Sequence, residues 1–269
     1  MTYLDDLLAG ARRRVEEARA RESFEALRRR AGEGPLPPDF AGALRRPGVS
    51  VIAEVKRASP SRGELAPGLD AVAQARAYRS GGAVAISVLT EPERFKGSLD
   101  DLAAVSALGT PTLRKDFVVD RYQIWEARAT GAAAVLLIVA ALDEETLGDL
   151  YVAARNAHLD VLVEVHDEDE LAVAVDLGAK IIGINARDLR SFELDRDAFA
   201  RLRPAVPSGT LVVAESGVGG PDDVRRAAAA GADAVLVGES LIAADDPAAA
   251  VAALVAAGAD APGQAGASA

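Results

Sequence analysis

Short apolar segments recur along the chain at nearly even intervals. There are eight, and their centres lie roughly 20 to 35 residues apart, the spacing of successive β–α units. They are mainly apolar and do not alternate between apolar and polar residues, which indicates strands buried on both faces of a parallel sheet. The segments are 51–55, 84–89, 112–115, 135–139, 161–165, 181–185, 211–215 and 234–238.

Helical patterns fill the intervals between these predicted strands. Four helices end in a glycine that leads into the next strand, and glycine readily adopts the left-handed conformation that ends a helix. Repeated β–α units over about 250 residues predict a closed (β/α)8 barrel, the TIM barrel of the α/β class. An open doubly wound sheet normally carries a glycine-rich turn after its first strand, and residues 55–60 contain none. The predicted helices span 69–79, 99–108, 121–129, 144–156, 168–177, 198–202, 222–230 and 247–257.

The two ends of the chain depart from this repeat. Leu4–Arg30 has helical spacing, and a short helix is predicted near Phe40–Arg45 after a proline-rich stretch. We therefore expect one or two extra helices in residues 1–48, packed on a single barrel domain that covers 1–257. Residues 258–269 are mostly small, with Gly and Pro, and are predicted to form a disordered tail.

Composition narrows the range of functions. The net charge of −11 disfavours nucleic acid as a partner, because phosphate backbones attract basic surfaces. The absence of cysteine excludes disulfides, thiolate metal sites and a cysteine nucleophile, and two histidines cannot form a three-histidine metal centre. No apolar run approaches the roughly 18 residues that cross a bilayer, and the first residues lack the basic start of a secretory signal. We expect a cytoplasmic protein without nucleic-acid or membrane partners.

Polar side chains stand at the ends of the predicted strands, where the active site of this fold lies. Glu54 and Lys56 are two residues apart and so point to the same side of the chain, as do Asn185 and Arg187. Glu164 stands inside an apolar segment, where an unpaired carboxylate would be costly. Each charge alone is compatible with a structural salt bridge or a solvated rim. Their convergence from several strands on one mouth favours an active site.

Lysine is scarce in this chain, with four among 30 basic residues. Lys56 and Lys115 stand at strand ends, whereas Lys96 and Lys180 are interpreted as solvated. A lysine can exchange a proton when burial or a neighbouring cation lowers its pKa, and arginine cannot. The position of the two lysines therefore indicates chemistry. His166 is interpreted as structural, because it belongs to the polar stretch that opens the next helix.

Glycine-rich turns follow the seventh and eighth predicted strands. Ser216 and Gly217 begin the first, and Gly238 begins the second. These two loops are the usual phosphate site of the fold, because glycine lets backbone N–H groups approach an anion. The alternative is that Gly217 and Gly219 only make tight turns.

The strand ends also carry specific motifs in order: 54–61, 87–91, 113–117, 136–139, 162–166, 183–189, 214–217 and 236–240. Together they resemble the indole-3-glycerol phosphate synthase family of tryptophan biosynthesis. The resemblance extends over the whole chain except the last dozen residues. It implies a carboxy-lyase that closes the ring of 1-(2-carboxyphenylamino)-1-deoxyribulose 5-phosphate and then loses CO2 and water, with no metal or organic cofactor.

The resemblance also implies roles for individual residues. Lys115 would be the general acid and Glu164 the general base. Lys56 would bind the substrate carboxylate or share the acid role, and Glu54 would orient it. The remaining implied contacts are substrate-binding Asn185, Arg187, Ser59, Pro60, Phe95, Phe117, Leu136 and Leu236, and phosphate-binding Ser59, Ser216, Gly217 and Gly238.

Other functions fit the same fold. The preceding isomerase of the pathway commonly uses a catalytic cysteine, and this chain has none. A barrel that binds a phosphorylated ligand without catalysis is a second alternative, which the joint presence of Lys56, Lys115 and Glu164 disfavours. Glu239 replaces a serine found in some relatives and is not counted as a phosphate ligand. We expect a small phosphorylated substrate and a monomeric enzyme.

Overall fold

The computed structural model describes residues 3–60, 62–189 and 191–259. Eight parallel strands close into a barrel in which each strand pairs with the next, and the last pairs with the first. This confirms the predicted TIM barrel and rules out the open sheet. The strands are β1 (Ser50–Val55), β2 (Ala85–Leu89), β3 (Thr112–Lys115), β4 (Ala134–Ile138), β5 (Asp160–Val165), β6 (Ile181–Asn185), β7 (Leu211–Glu215) and β8 (Ala234–Val237).

Helices follow the strands on the outside of the barrel. Most begin after an aspartate or serine whose side chain accepts a backbone N–H of the first turn, as Asp70, Asp143 and Asp167 do. After the N-terminal helices α1 (Tyr3–Arg21), α2 (Phe24–Glu33) and α3 (Phe40–Leu44), they are α4 (Ala71–Ser80), α5 (Leu99–Ser106), α6 (Arg121–Ala129), α7 (Glu144–Asn156), α8 (Glu168–Asp176), α9 (Ala198–Leu202), α10 (Pro221–Ala229), α11 (Glu239–Ile242) and α12 (Pro247–Ala259).

Alternation along the strands decides which side chains reach the active-site end. On β1, Val51, Ala53 and Val55 pack in the layer between strands and helices, while Ile52 belongs to the core inside the barrel. Glu54 is the next residue after Ile52 on the inner face. It lies one residue before Val55, where β1 ends. Because side chains alternate along a strand, Glu54 is the last inward-facing residue of β1 and lies at the barrel mouth.

The N-terminal segment contains three helices, not the one or two expected: α1 (Tyr3–Arg21), α2 (Phe24–Glu33) and α3 (Phe40–Leu44). Phe40 and Leu44 are fully buried with the residues inside the barrel. Proline-rich residues 35–38 separate α2 from α3, because proline cannot continue a helix.

The C-terminal boundary differs from the predicted one. Helix α12 continues to Ala259, so residues 258 and 259 are helical and not part of a disordered tail. The Gly258 carbonyl accepts a hydrogen bond from the Val49 N–H at 3.1 Å. A Cβ at Gly258 would lie 2.5 Å from the Val49 carbonyl oxygen. The close approach of the end of α12 to Val49 therefore requires glycine at 258. The rest of the predicted tail, 260–269, lies outside the described residues.

The loop after β1 forms a small hairpin that the sequence analysis missed. Ala58–Ser59 pairs antiparallel with Gly63–Glu64. The strands are only two residues each, too short for any periodic signal. Among the helices described, none is both long and apolar enough to cross a membrane.

Candidate active site

A cavity of ≈ 380 Å³ opens at the carboxyl ends of the barrel strands. All of the site residues predicted from the sequence line it, and their roles stay predictions. They come from all eight strands or the loops that follow them: Glu54, Lys56, Ser59, Pro60, Phe95, Lys115, Phe117, Leu136, Glu164, Asn185, Arg187, Ser216, Gly217, Leu236 and Gly238.

Lys115 lies between two buried carboxylates. Its Nζ is 3.2 Å from Glu164 Oε2 and 3.6 Å from Glu215 Oε2. Both glutamate side chains are nearly inaccessible to solvent, at 1% and 2% exposure, and the lysine side chain is 16% exposed. The Lys115 ammonium group thus pairs with two carboxylates, one from β5 and one from β7.

The charges of this cluster shift each other's pKa. Burial alone would lower the pKa of Lys115, but the carboxylates of Glu164, Glu215 and Glu54 outweigh it and raise that pKa. Proton exchange by lysine is expected where its pKa is lowered, and here the direction is the opposite. Lys115 is therefore protonated near neutral pH.

The two glutamates are shifted in opposite directions. Burial would raise the pKa of Glu164, but Lys115, His166 and Asn185 together lower it, so this side chain is an anion. Burial and the neighbouring Glu164 raise the pKa of Glu215 to about 8. Two carboxylates sharing one lysine cannot both ionise at low cost. The result is one ionised and one protonated glutamate beside the same ammonium group.

Glu54 and Lys56 form a second pair at the end of β1. Lys56 Nζ lies 2.8 Å from Glu54 Oε1, and both side chains are largely buried. Gly238, after β8, faces this pair: a Cβ there would lie 2.6 Å from Glu54 Oε1 and 3.2 Å from Lys56 Nζ. Glycine is needed at 238 because the two side chains occupy the space that a larger residue would take.

Asn185 and Arg187 meet at the end of β6, as predicted. The Asn185 Oδ1 accepts a hydrogen bond from the Arg187 backbone N–H at 3.0 Å. The guanidinium group donates to the Phe192 carbonyl at 3.1 Å, which holds it in the wall of the cavity. A fixed, planar guanidinium is suited to bind a carboxylate.

The loops after β7 and β8 form one end of the cavity. Ser216 and Gly217 both have positive φ, at 63° and 75°, so the chain turns sharply where a phosphate is predicted. Further along, the N–H groups of Gly219 and Gly220 donate to the Asp223 carboxylate at 2.7 and 3.0 Å. Asp223 therefore occupies these two donors, and the predicted anion site involves the turn that precedes them.

Aromatic and aliphatic side chains cover another wall. The rings of Phe95 and Phe117 are 6.3 Å apart, and Leu136 and Leu236 line the same cavity. The buried Glu91 carboxylate accepts the backbone N–H groups of residues 93, 94 and 95, which fixes the loop that presents Phe95. This wall offers an aromatic group a slot of apolar surface.

A salt-bridge network lies directly behind Lys115. Asp116 accepts from Arg14 of α1 at 3.1 Å and from Arg114 at 3.1 Å, and its other partner is the Thr90 hydroxyl at 2.7 Å. Asp116 also accepts the backbone N–H of Phe117. The N-terminal helix is thereby joined to the residue that directly follows Lys115 at the end of β3.

Glu215 and His166 were not predicted to belong to the site. Glu215 ends β7, in an apolar segment like that of Glu164, and it lines the cavity. Gly183, on β6, leaves the space that the Glu215 carboxylate fills, and a Cβ there would collide with Glu215 Oε1. His166, interpreted as structural, lies 3.4 Å from Glu164 Oε1.

Comparison with known sequences gives one consistent family. The family model described as indole-3-glycerol phosphate synthase matches residues 4–254. The indole-3-glycerol phosphate synthase of Streptomyces griseus subsp. griseus is 55% identical over 260 residues, covering 96% of this chain and 97% of the relative. That of Mycolicibacterium gilvum is 54% identical over 258 residues, covering 96% of this chain and 95% of the relative.

Comparison with solved structures supports the fold alone. The 3-hexulose-6-phosphate synthase from Salmonella typhimurium superposes with a TM-score of 0.64 at 16% identity, over 78% of this chain and 98% of that one. Thiamine phosphate pyrophosphorylase from Pyrococcus furiosus gives a TM-score of 0.58 at 18% identity, over 78% of this chain and 94% of that one.

Proposed function

The chain belongs to the indole-3-glycerol phosphate synthase family, and we propose that Lys115 is the general acid and Glu164 the general base of this reaction. The protein is accordingly a carboxy-lyase of tryptophan biosynthesis that forms indole-3-glycerol phosphate. The observation that carries the assignment is the buried pair itself, with the ammonium and carboxylate 3.2 Å apart in the cavity.

The chemistry requires an acid at one carbon of the substrate and a base at its neighbour. The aromatic carbon that bears the carboxylate attacks the ketose carbonyl, whose oxygen takes a proton from Lys115 and becomes a hydroxyl group. Loss of CO2 restores the aromatic ring. The hydroxyl group then leaves as water with a second proton, supplied by Lys56 in its shared acid role, and Glu164 removes a proton from the adjacent CH2 carbon to complete the indole. An ammonium and a carboxylate side by side suit these two transfers.

The substrate carboxylate is assigned to the cationic wall. Lys56 binds it or shares the acid role, and Glu54, 2.8 Å from Lys56, orients the ammonium group. Arg187 and Asn185 bind near the same carboxylate and the sugar hydroxyls. Supporting this, the Arg187 guanidinium is held by the Phe192 carbonyl and so needs little reordering on binding.

The phosphate and the aromatic ring of the substrate are assigned to different sets of cavity residues. Ser59, Ser216, Gly217 and Gly238 bind the phosphate, supported by the tight turn after β7. The aromatic ring packs in the slot formed by Phe95, Phe117, Leu136 and Leu236, with Pro60 at the cavity wall.

We further propose that the chain acts as a monomer in the cytoplasm, without a metal or organic cofactor. The acid and base that the reaction needs are both supplied by side chains, Lys115 and Glu164.

The base assignment is tested by Glu164→Gln, which keeps the shape of the side chain but cannot accept the proton. We expect kcat to fall by about 10²- to 10⁴-fold, with KM changed far less. Glu168→Gln, at the exposed first residue of α8, is the matched control and should keep wild-type turnover. A Glu164→Gln enzyme whose kcat is unchanged and whose KM alone rises would make Glu164 a substrate-positioning group.

A further inference from the structure

His166 lies behind Glu164, on the side away from the substrate cavity. It follows β5 directly, its side chain is 9% exposed, and it does not line the cavity. Its Nε2 is 3.4 Å from Glu164 Oε1, and its Nδ1 is 2.8 Å from Glu170 Oε2. The imidazole ring thus bridges a buried glutamate at the active site and a glutamate in the first turn of α8.

Glu170 fixes the ring in place. The same Oε2 atom accepts from the His166 backbone N–H at 2.9 Å and from the ring at 2.8 Å. The Glu170 backbone N–H in turn donates to Asp167, the residue that caps α8. Main chain and ring of His166 are therefore both anchored to the start of a helix, which leaves the imidazole little freedom to rotate.

The contacts also define the protonation of the ring. A carboxylate can only accept a hydrogen bond, so Nδ1 carries a proton toward Glu170. Nε2 faces Glu164 Oε1 at the ion-pair distance of 3.4 Å, and neither atom has a hydrogen-bond partner among the described residues. Two lone pairs would repel each other in that position, so Nε2 carries a proton as well and the ring is an imidazolium.

His166 also breaks the symmetry between the two glutamates that share Lys115. The distances from Lys115 Nζ, 3.2 Å to Glu164 and 3.6 Å to Glu215, are too similar to decide which carboxylate is ionised. The ring contacts Glu164 and not Glu215. Within the described part of the chain, Glu164 pairs with two basic side chains, Lys115 and His166, and Glu215 pairs with Lys115 alone.

We propose that His166 is a positioning residue that holds Glu164 by its Oε1 atom and makes Glu164, rather than Glu215, the ionised carboxylate beside Lys115. The inference rests on the proposed role of Glu164 as the base. With Oε1 held by the ring, Oε2 is directed to Lys115 and the cavity, which is the atom that has to accept the substrate proton.

The charges around this pair agree with the proposal. Burial would lower the pKa of His166, but Glu164 and Glu170 outweigh it and raise that pKa to about 10. Glu164 is faced by Lys115 from β3, Asn185 from β6 and the raised-pKa Glu215 from β7. An imidazolium that persists through neutral pH lowers the cost of keeping Glu164 charged.

A direct test follows from the ring itself, because the chain contains only two histidines. Proton NMR titration of the wild-type enzyme, with His158→Gln used to assign the signals, measures the midpoint of His166. We expect a midpoint above about pH 8, and a lower midpoint in Glu170→Gln. A wild-type midpoint at or below about pH 8 would overturn the proposal, and this result does not depend on any variant of His166 folding.

Kinetics test the consequence for catalysis. In His166→Gln we expect kcat to fall about tenfold or more, KM to change less than about threefold, and the acid limb of the kcat profile to move to higher pH. The limb moves up because Glu164 loses a neighbouring cation and competes with Glu215 for the remaining one. His158→Gln, at an exposed loop position, should match the wild type.

The two assignments fail in different ways. If Glu164→Gln remains fully active, the base assignment is wrong whatever His166 does. If Glu164→Gln is inactive while His166→Gln keeps the kcat and pH profile of His158→Gln, the base assignment stands and the positioning role of His166 is wrong. Should His166→Gln fail to fold, Glu170→Gln, whose side chain is 17% exposed, is expected to lower kcat in the same direction.

Discussion

Individual active-site residues were predictable from the sequence where their residue type was unusual for its place in the chain. Lys115 and Glu164 stood out because a lysine is scarce here and a carboxylate is unusual in an apolar strand. The direction of the Lys115 pKa was not predictable in this way. It depends on carboxylates from β1, β5 and β7, which are far apart in sequence and meet only in the closed barrel.

Glu215 and Gly183 show the same limit. A glycine in a buried strand gives no local sign that it makes room for a glutamate on the next strand. Glu215 could have been predicted by the criterion that identified Glu164, which is a carboxylate within an apolar strand segment. Applying that criterion to every strand would have found both glutamates.

The raised pKa of Glu215 predicts a specific pH dependence of stability. Burial and Glu164 raise the pKa from its ordinary 4.5 to about 8, so the native state binds a proton that the unfolded state releases. This contribution to stability is complete below the lower value and is lost as the pH rises toward the higher one. Thermal unfolding should therefore show the wild type losing stability relative to Glu215→Gln between about pH 5 and pH 8.

Glutamine cannot titrate, so the comparison isolates this one group from the other ionisable residues. The quantity to plot is the difference in Tm between the two proteins against pH. A difference that stays constant across the range would show that Glu215 titrates with the same pKa in both the folded and the unfolded chain.

At the scale of elements, the repeating pattern predicted all eight barrel strands and the helices between them, because each unit carries its own hydrophobic signal. Contacts between distant elements gave no such signal. The Arg14–Asp116 pair joins α1 to the loop after β3 across 102 positions of sequence. The end of α12 at Ala259 likewise depends on its contact with Val49 near the other end of the barrel domain.

The position of α1 predicts that the N-terminal segment affects catalysis. Replacing Arg14 by leucine removes one partner of the buried Asp116, immediately after Lys115. We expect kcat/KM to fall by about tenfold, because small displacements of a catalytic group are costly. Steady-state kinetics of the variant measure the effect.

Arg13 offers the matched control. It precedes Arg14 in the same helix, and its ion pair with Glu93 is exposed on both sides. Exposed ion pairs contribute little to stability, so Arg13→Leu should behave as the wild type. Equal losses in the two variants would mean that the helix, and not the Asp116 contact, is responsible.

At the scale of the whole molecule, the barrel brings side chains from separate β–α units to one mouth. Alternation along each strand points the terminal inward residue into the cavity, and closure of the sheet then sets the distances. The location of the site was therefore predictable from the sequence, because position on a strand decides it. The division of charge inside the site was not, because closure alone brings Glu164, Glu215 and Lys115 together.

The central claim is that this chain forms indole-3-glycerol phosphate with Lys115 as its acid. The most direct measurement is the indole fluorescence that develops when the purified protein meets 1-(2-carboxyphenylamino)-1-deoxyribulose 5-phosphate in buffer containing a chelator. We predict a rising signal for the wild type and for Lys180→Ala, an exposed lysine, and a rate lower by about 10²- to 10⁴-fold for Lys115→Ala. Turnover by Lys115→Ala at the wild-type rate, or dependence of the wild type on added metal, would contradict the account.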